Sequence, residues 1–269
     1  MSRRDHAFPR NPVAIALFAI AVAAMPAESA SAQAAPTIAA ASDLQFALTE
    51  VASAFKTETR EEVQLTFGSS GNFFRQIQQD APFEMFLSAD EKFVFDLKTA
   101  GLTADEGVLY AIGRIVLMVP HDSPLKADGT LGDLALGLRD GRVTKFAIAN
   151  PEHAPYGKRA EEALRHAGLW DEMQDRLVLG ENVSQAAQFA TSGDAAGGII
   201  AYSLALSPAV SKLGTYALIP DAWHEPLRQR MVLLKGAGGT AHHFYDYVQS
   251  SPSRDILKRY GFILPGDTM

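Results

Sequence analysis

Apolar stretches along this chain repeatedly end in a short loop rich in serine, glycine, asparagine or proline, and each loop is followed by residues with helical spacing. The pattern predicts strands that lead directly into helices, with these strands at residues 37–41, 63–67, 146–150 and 177–179. A helix N-terminus carries unpaired N–H groups and a partial positive charge. Several such termini that converge can hold an anion without a salt bridge, so the pattern favours a binding protein over an enzyme.

The remaining apolar stretches extend the same alternation. Residues 43–56 place apolar side chains at helical intervals after Ser42. Further strands are predicted at 83–87, 115–119, 198–201 and 230–234, and further helices at 71–79, 90–99, 157–167, 183–192 and 241–259. Strands that alternate with short helices predict parallel sheets covered on both faces, and hence an α/β fold.

Two sets of these units are joined by the strand near residues 113–119, which predicts two lobes. We assign residues 33–113 and 221–269 to one lobe and 114–220 to the other, because the strand at 230–234 and the C-terminal helix return to the first. Loops at the carboxyl ends of the strands then face a cleft, which is where open α/β sheets bind ligands. We expect the cleft to close around a ligand by a hinge motion.

Residues 1–32 have the three parts of an export signal. Arginines form a basic start, residues 13–25 form an apolar run too short to cross a bilayer, and residues 30–32 form a small-residue cleavage site. The Arg3–Arg4 pair is followed by Asp5 and His6, which favours general secretion over a twin-arginine route. We therefore expect cleavage near Ala32 and a mature protein in the periplasm.

The composition excludes several classes of protein. The chain contains no cysteine, which rules out disulfides, thiolate metal sites and cysteine nucleophiles. Its formal net charge of −7 provides no basic surface for nucleic acid, and no apolar stretch after the signal is long enough to cross a membrane. The mature chain, with about 235 residues, is long enough to build its own core.

The loops after the strands contain the candidate donors. Ser42 and Ser70 each offer a hydroxyl and an N–H, although a plain helix cap would also explain a serine at either place. Tyr156 and Val183 can offer backbone N–H groups from the second lobe, with an ordinary helix start as the alternative for Val183. These loops contain no lysine or arginine, so neutral donors are predicted instead of arginine forks.

Catalytic patterns are weaker in this chain. The GSSG segment at 68–71 is not a G-x-S-x-G nucleophile elbow, and the histidines form no HExxH pattern. We therefore predict that the protein is not an enzyme and that it needs no cofactor. An exported serine hydrolase that uses Ser69 or Ser70 remains the alternative from another class.

These segments together resemble the periplasmic molybdate-binding proteins of ABC transporters. The resemblance covers nearly the whole mature chain and is carried by the order and spacing of IAAAS at 38–42, FGSSG at 67–71, FLSAD at 86–90, NPEHAPYG at 150–157, FYDY at 244–247 and RYGF at 259–262. It implies a two-lobed periplasmic-binding-protein fold of type II, with molybdate or tungstate bound in the interlobe cleft.

The resemblance also implies which residues contact the oxyanion. It places hydroxyl and N–H donors at Ser42 and Ser70 and backbone N–H donors at Tyr156 and Val183, with a further N–H at Asp43 in some members of the family. The oxyanion is held by these residues without direct bonds from protein to metal. Some members have a tyrosine on the late strand, but this chain has Ala201 there, and Tyr202 would face the other way on a strand.

Asp43 is an acidic residue at a position where a neighbour of a bound dianion should not carry a negative charge. A carboxylate that pointed at the ligand would repel a dianion, but it could accept the proton of hydrogen phosphate. At a first-turn position we expect its side chain to turn toward the helix end and solvent instead.

The predicted function is the capture of molybdate, and of tungstate, for delivery to the membrane permease of an ABC transporter. We expect a monomer with no nucleic-acid partner. The alternatives within binding proteins are a phosphate or sulfate receptor and a receptor that signals through a membrane partner.

Overall fold

The computed structural model describes Met1 and residues 34–267. Apart from Met1, the predicted export signal at 1–32 lies outside the described residues. The strands are β1 Thr37–Ala41, β2 Gln64–Gly68, β3 Met85–Ser88, β4 Val108–Gly113, β5 Ile115–Pro120, β6 Phe146–Ala149, β7 Leu177–Gly180, β8 Gly198–Ala201, β9 Gly214–Leu218 and β10 Leu227–Leu233. The helices are α1 Gln45–Thr59, α2 Ser70–Gln78, α3 Glu91–Thr99, α4 Gly132–Arg139, α5 Pro155–His166, α6 Trp170–Met173, α7 Val183–Thr191, α8 Tyr202–Ala205, α9 Gly239–Val248 and α10 Ser251–Arg259.

The strands form two five-stranded sheets of matching design. The first sheet has the order β2-β1-β3-β10-β4, and the second has the order β7-β6-β8-β5-β9. In the first, β1 is parallel to β2 and β3, while β10 is antiparallel to β3 and β4. In the second, β6 is parallel to β7 and β8, while β5 is antiparallel to β8 and β9.

The α/β fold class is confirmed, but the prediction of purely parallel sheets is wrong. Each sheet contains one strand, β10 in the first and β5 in the second, that runs antiparallel to its neighbours. Neither strand belongs to one of the local strand–helix units. The direction of such a strand depends on the path of the chain through the other sheet, and a hydrophobic pattern carries no information about that path. The strand predicted at 115–119 is confirmed as β5, whereas β4, which ends at Gly113 and belongs to the other sheet, was not predicted.

The cores follow the sheets. A buried cluster around Ile115, Leu117 and Phe146 packs on the second sheet, and the apolar run of β5 is buried along almost its whole length, as expected for an interior strand. Two further clusters, around Phe55 and Phe86, cover the two faces of the first sheet. No helix within residues 34–267 is long and apolar enough to cross a membrane.

The C-terminal segment differs from the single helix predicted at 241–259. It forms α9 and α10, which are separated at Gln249 and Ser250. Pro252 is responsible, because proline lacks an N–H and is tolerated only in the first turn of a helix. Ser250 has extended backbone angles and is the N-cap residue that precedes the second helix.

Candidate functional site

Four helix starts meet at one cavity. The 3-10 turn Ser42–Leu44 and α2 follow strands of the first sheet, while α5 and α7 follow strands of the second. The cavity has a volume of about 10 Å³ and is lined by Ala41, Ser42, Asp43, Gly68, Ser69, Ser70, Ala89, Ala154, Pro155, Tyr156 and Val183. All five residues predicted from the sequence are in this set, and each is at most 3% exposed. The structure therefore brings all five buried residues together around one small cavity.

The hydroxyls of Ser42 and Ser70 are oriented by backbone N–H groups. Ser42 Oγ accepts a hydrogen bond from Ser184 N at 3.3 Å, and Ser70 Oγ accepts one from Ala89 N at 3.0 Å. Neither hydroxyl donates a hydrogen bond to another group within residues 34–267. Because a hydroxyl has one hydrogen to donate, both serines keep that hydrogen for an acceptor in the cavity.

The caps of the two neighbouring helices are other residues. The side chain of Ser69 caps α2 by accepting a hydrogen bond from Asn72 N, and Asn182 caps α7 by accepting one from Gln185 N. Ser70 is therefore not the cap of α2, which removes the plain alternative offered for it. Ser70 and Val183 are instead the first residues of their helices, where backbone N–H groups have no intrahelical acceptor.

Helix α5 presents its N-terminus to the same cavity. It begins at Pro155, which has no N–H to satisfy, so Tyr156 carries the first N–H of the helix. Ala154 and Pro155 line the cavity beside it. No lysine or arginine is among the lining residues, as predicted for a site of neutral donors.

Asp43 is buried, so the expectation that its side chain turns to solvent is wrong. It is 1% exposed, and its Oδ2 accepts hydrogen bonds from Tyr156 Oη at 2.9 Å and from Gln229 Nε2 at 2.7 Å. Its Oδ1 is buried without a hydrogen-bond partner in the described part of the chain. The reason is the packing around it: Tyr156 of α5 and Gln229 of β10 reach its carboxylate from distant parts of the chain. Residues 42–44 also form a 3-10 turn, and α1 begins only at Gln45.

Burial changes the acidity of this group and its neighbours. Desolvation raises the pKa of Asp43 from 3.8 to about 6, although hydrogen bonding by Gln229, by Tyr156 and by the backbone N–H groups of Asp43 and Leu44 lowers it. Desolvation, together with the charge of Asp43, raises the pKa of both Tyr156 and Tyr110 well above the usual value. Both phenols are therefore neutral hydrogen-bond donors at any physiological pH.

Gln229 and Tyr110 complete this network and were not found from the sequence. Tyr110 Oη donates to Gln229 Oε1 at 2.7 Å, which directs the Gln229 amide N–H groups toward Asp43 and Tyr156. Gln229 is fully buried in β10 between Leu227 and Met231. The apolar residues at 227 and 231 indicate that position 229, between them on the same face of a strand, is also buried. This signal was missed because the strand was predicted to begin only at residue 230, one residue after Gln229.

Further hydrogen bonds hold the two sides of the cavity together. Ser184 Oγ donates to Ser42 O at 2.8 Å, and Ser203 Oγ donates to Asp43 O at 2.7 Å. Gly71 N donates to His153 O at 2.9 Å, and a Cβ at Gly71 would lie 2.6 Å from that same oxygen. The approach is therefore one that only glycine permits.

Tyr202, which was left out of the predicted site, is not among the residues that line the cavity. It begins α8, where its ring lies 5.7 Å from the ring of Tyr216. Ala201 ends β8 and is buried in the core of the second sheet.

A family model matches this arrangement over residues 36–263, and its description is bacterial extracellular solute-binding protein. The chain belongs to this family. Among its relatives, the molybdate-binding protein ModA of Azotobacter vinelandii is 32% identical over 228 residues, which cover 84% of this chain and 88% of the relative. ModA of Rhodobacter capsulatus is 33% identical over 217 residues, which cover 80% and 82%.

A solved structure supports the same assignment. The periplasmic molybdate-binding protein of Azotobacter vinelandii superposes with a TM-score of 0.76 at 29% identity, covering 86% of this chain and 99% of that structure. As a member of the solute-binding family, the chain shares its α/β fold with proteins that carry solutes outside the cell. The relatives are solute-binding proteins, in agreement with the interpretation of the loops as a binding site.

Proposed function

We propose that this protein captures molybdate, and also tungstate, in the periplasm and delivers it to the membrane permease of an ABC transporter. The observation that carries the proposal is one small cavity at which four helix starts and two oriented serine hydroxyls meet without a cationic side chain among the lining residues. The relatives at about 30% identity are named as molybdate-binding proteins, which supports this choice of oxyanion.

The contacts follow from the donors at the cavity. The hydroxyls of Ser42 and Ser70 and the backbone N–H groups of Asp43, Tyr156 and Val183 are proposed to bind the oxygens of the anion. Hydrogen bonds to an ionised acceptor are about twice as strong as neutral ones, so a few well-placed donors suffice for a dianion. No protein atom needs to bond the metal centre, and no cofactor is required.

The two sheets suggest how the cavity opens. The strands of the first sheet come from residues 37–113 and 227–233, and those of the second come from residues 115–218. We propose that each sheet with its helices forms one lobe, with chain crossings near 113 and 220, and that the lobes separate to admit the anion. The proposed mature protein is a monomer that begins after cleavage near Ala32.

Isothermal titration of refolded, ligand-free protein tests this function. Molybdate, tungstate, sulfate and phosphate are titrated in turn, and tight binding of the first two with no heat from the others is expected. Selection would rest on donor spacing, because the larger anions need more widely separated donors. Binding of phosphate or sulfate without molybdate would contradict the proposal and favour the alternative receptor.

The hydrolase alternative can be tested on the same preparation. Ser69 Oγ lies 3.0 Å from His153 Nδ1, a distance that a nucleophile and its base would share. However, Ser69 Oγ also caps α2, and it is only 4% exposed, which favours a structural contact. Labelling of Ser69 by a fluorophosphonate probe would show a reactive serine instead.

A further inference from the structure

Asp43 is the charged side chain among the residues that line the cavity, and its environment lacks a compensating cation. The groups that face its carboxylate are the Tyr156 phenol of α5, the Gln229 amide of β10 and the backbone N–H groups of Asp43 and Leu44. The Tyr110 phenol of β4 is bonded to the Gln229 amide. The Ser203 hydroxyl of α8 bonds its backbone carbonyl. None of these groups carries a positive charge.

One oxygen of this carboxylate is satisfied and the other is not. Oδ2 accepts hydrogen bonds from two donors, whereas Oδ1 is buried and accepts none from residues 34–267. An ionised carboxylate with a bare, buried oxygen costs more free energy than a neutral carboxyl whose single O–H lacks an acceptor. The network can therefore accommodate a carboxylic acid whose proton is on Oδ1 and whose Oδ2 still accepts from Tyr156 and Gln229.

Binding of the proposed dianion would further destabilise the ionised form of the Asp43 carboxyl. A dianion in the same cavity would stand beside a buried negative charge with only neutral groups between them, and such repulsion is strong where water is excluded. We propose that Asp43 takes up one proton when a dianionic oxyanion occupies the cavity, so that capture of the anion is coupled to protonation of this carboxyl. The inference rests on the proposed function.

The step is balanced by solvent. A proton from water or buffer forms an O–H bond at Oδ1, the carboxyl becomes neutral, and the oxyanion keeps both of its charges. Burial already raises the pKa of Asp43 to about 6, so the carboxyl of the free protein is mainly ionised at pH 7.5. A bound dianion raises that pKa further. Proton uptake on binding is therefore largest at pH values between the pKa of Asp43 in the free protein and its pKa in the complex.

Calorimetry in buffers of different ionisation enthalpy counts the protons directly. Molybdate is titrated into the wild-type protein at pH 7.5 in two such buffers, and the difference in binding heat gives the protons taken up per anion. We expect a value that approaches one. Between pH 7 and 8.5 the apparent Kd is expected to rise by up to tenfold per pH unit, which is the limit for one linked proton.

Two variants separate this linkage from other effects. Asp43→Asn keeps the shape of the side chain without an ionisable group, so we expect no proton uptake, a flat pH profile and tighter binding than wild type at pH 8.5. Asp246→Asn removes an exposed carboxylate on α9 and is expected to behave like the wild type.

The outcomes test proton uptake by Asp43 and oxyanion binding by the protein separately. Molybdate binding without proton uptake in the wild type overturns this inference but leaves the proposed function intact. Binding of none of the four oxyanions overturns both. Because the buffer comparison uses the wild-type protein, it decides the question even if Asp43→Asn does not fold.

Discussion

Replacing Asp43 by asparagine is expected to change how the stability of the ligand-free protein depends on pH. The pKa of this carboxyl is 3.8 in an ordinary environment and is raised to about 6 in the fold, mainly by burial. Between these two pH values the folded state binds more protons than the unfolded chain, so stability falls as pH rises. The contribution of Asp43 is fully present below the unfolded pKa and is lost once pH exceeds the folded pKa.

The magnitude follows from the size of the shift. At ~1.36 kcal/mol per pKa unit, the rise corresponds to ~3 kcal/mol over the whole titration, of which the wild type loses ~2.4 kcal/mol between pH 4 and pH 7 because the unfolded carboxyl is already partly ionised at pH 4. For a chain of this size, that loss of ~2.4 kcal/mol equals a Tm change of roughly 5–10 °C. Other carboxyls, such as Asp133 and Glu50, have lowered pKa values and act in the opposite direction. The difference between variant and wild type removes their contribution.

Urea unfolding of ligand-free wild type and Asp43→Asn at pH 4, 5.5 and 7 measures this difference. The stability of the variant relative to wild type should increase by ~2.4 kcal/mol across the range. The absolute offset also includes ~1–3 kcal/mol for an amide N–H that is buried without an acceptor, so the slope is the decisive quantity. Parallel pH profiles for the two proteins would refute the reasoning. Asp246→Asn should keep a constant offset from wild type.

Three further substitutions test the donors and the closed cavity. Ser70→Ala should weaken molybdate binding, measured by titration calorimetry, by ~1–3 kcal/mol through a lost charge-assisted hydrogen bond. Its control is Ser253→Ala, which changes a buried serine outside the cavity and should leave the affinity unchanged. Gly71→Ala should weaken molybdate binding at least tenfold, because its Cβ would lie 2.6 Å from His153 O and keep the cavity open. Small-angle scattering of this variant with molybdate should show the more extended form. Tyr156→Phe keeps the backbone N–H but removes a donor to the buried carboxylate, so urea unfolding at pH 7 should show a loss of ~1–3 kcal/mol that shrinks near pH 4. Wild-type affinity in the first two variants, or a loss independent of pH in the third, would contradict these assignments.

The strand–helix units could be predicted because their signals are local. The apolar run of β1, the GSSG loop after β2 and the Pro155 start of α5 each combine a strand pattern with residues that favour a helix N-terminus. Those same residues fix where the free N–H groups lie, so the candidate donors followed from the pattern. The placement of Ser69 and Asn182 as caps, one residue before Ser70 and Val183, is a detail of the same local kind.

The mixed sheets could not be predicted in this way. Strand β10 joins β3 and β4 only after the chain has passed through the whole second sheet, and β5 enters that sheet antiparallel to β8. Both depend on long-range topology and not on the residues of the strand itself. The surroundings of the Asp43 side chain have the same origin, because Gln229 and Tyr110 reach it from β10 and β4.

This division between local and long-range signals explains which part of the candidate site was misjudged. The hydroxyl and N–H donors belong to helix starts, whose geometry is set within a few residues of sequence. Asp43 also stands at a helix start, but the charge state of a buried carboxylate is set by what packs around it. Its surroundings come from elements far away in the chain, and they provide donors to one oxygen and no cation. A sequence pattern can therefore identify candidate donors for an anion, whereas the charge state of the carboxyl beside them depends on contacts that only the fold creates.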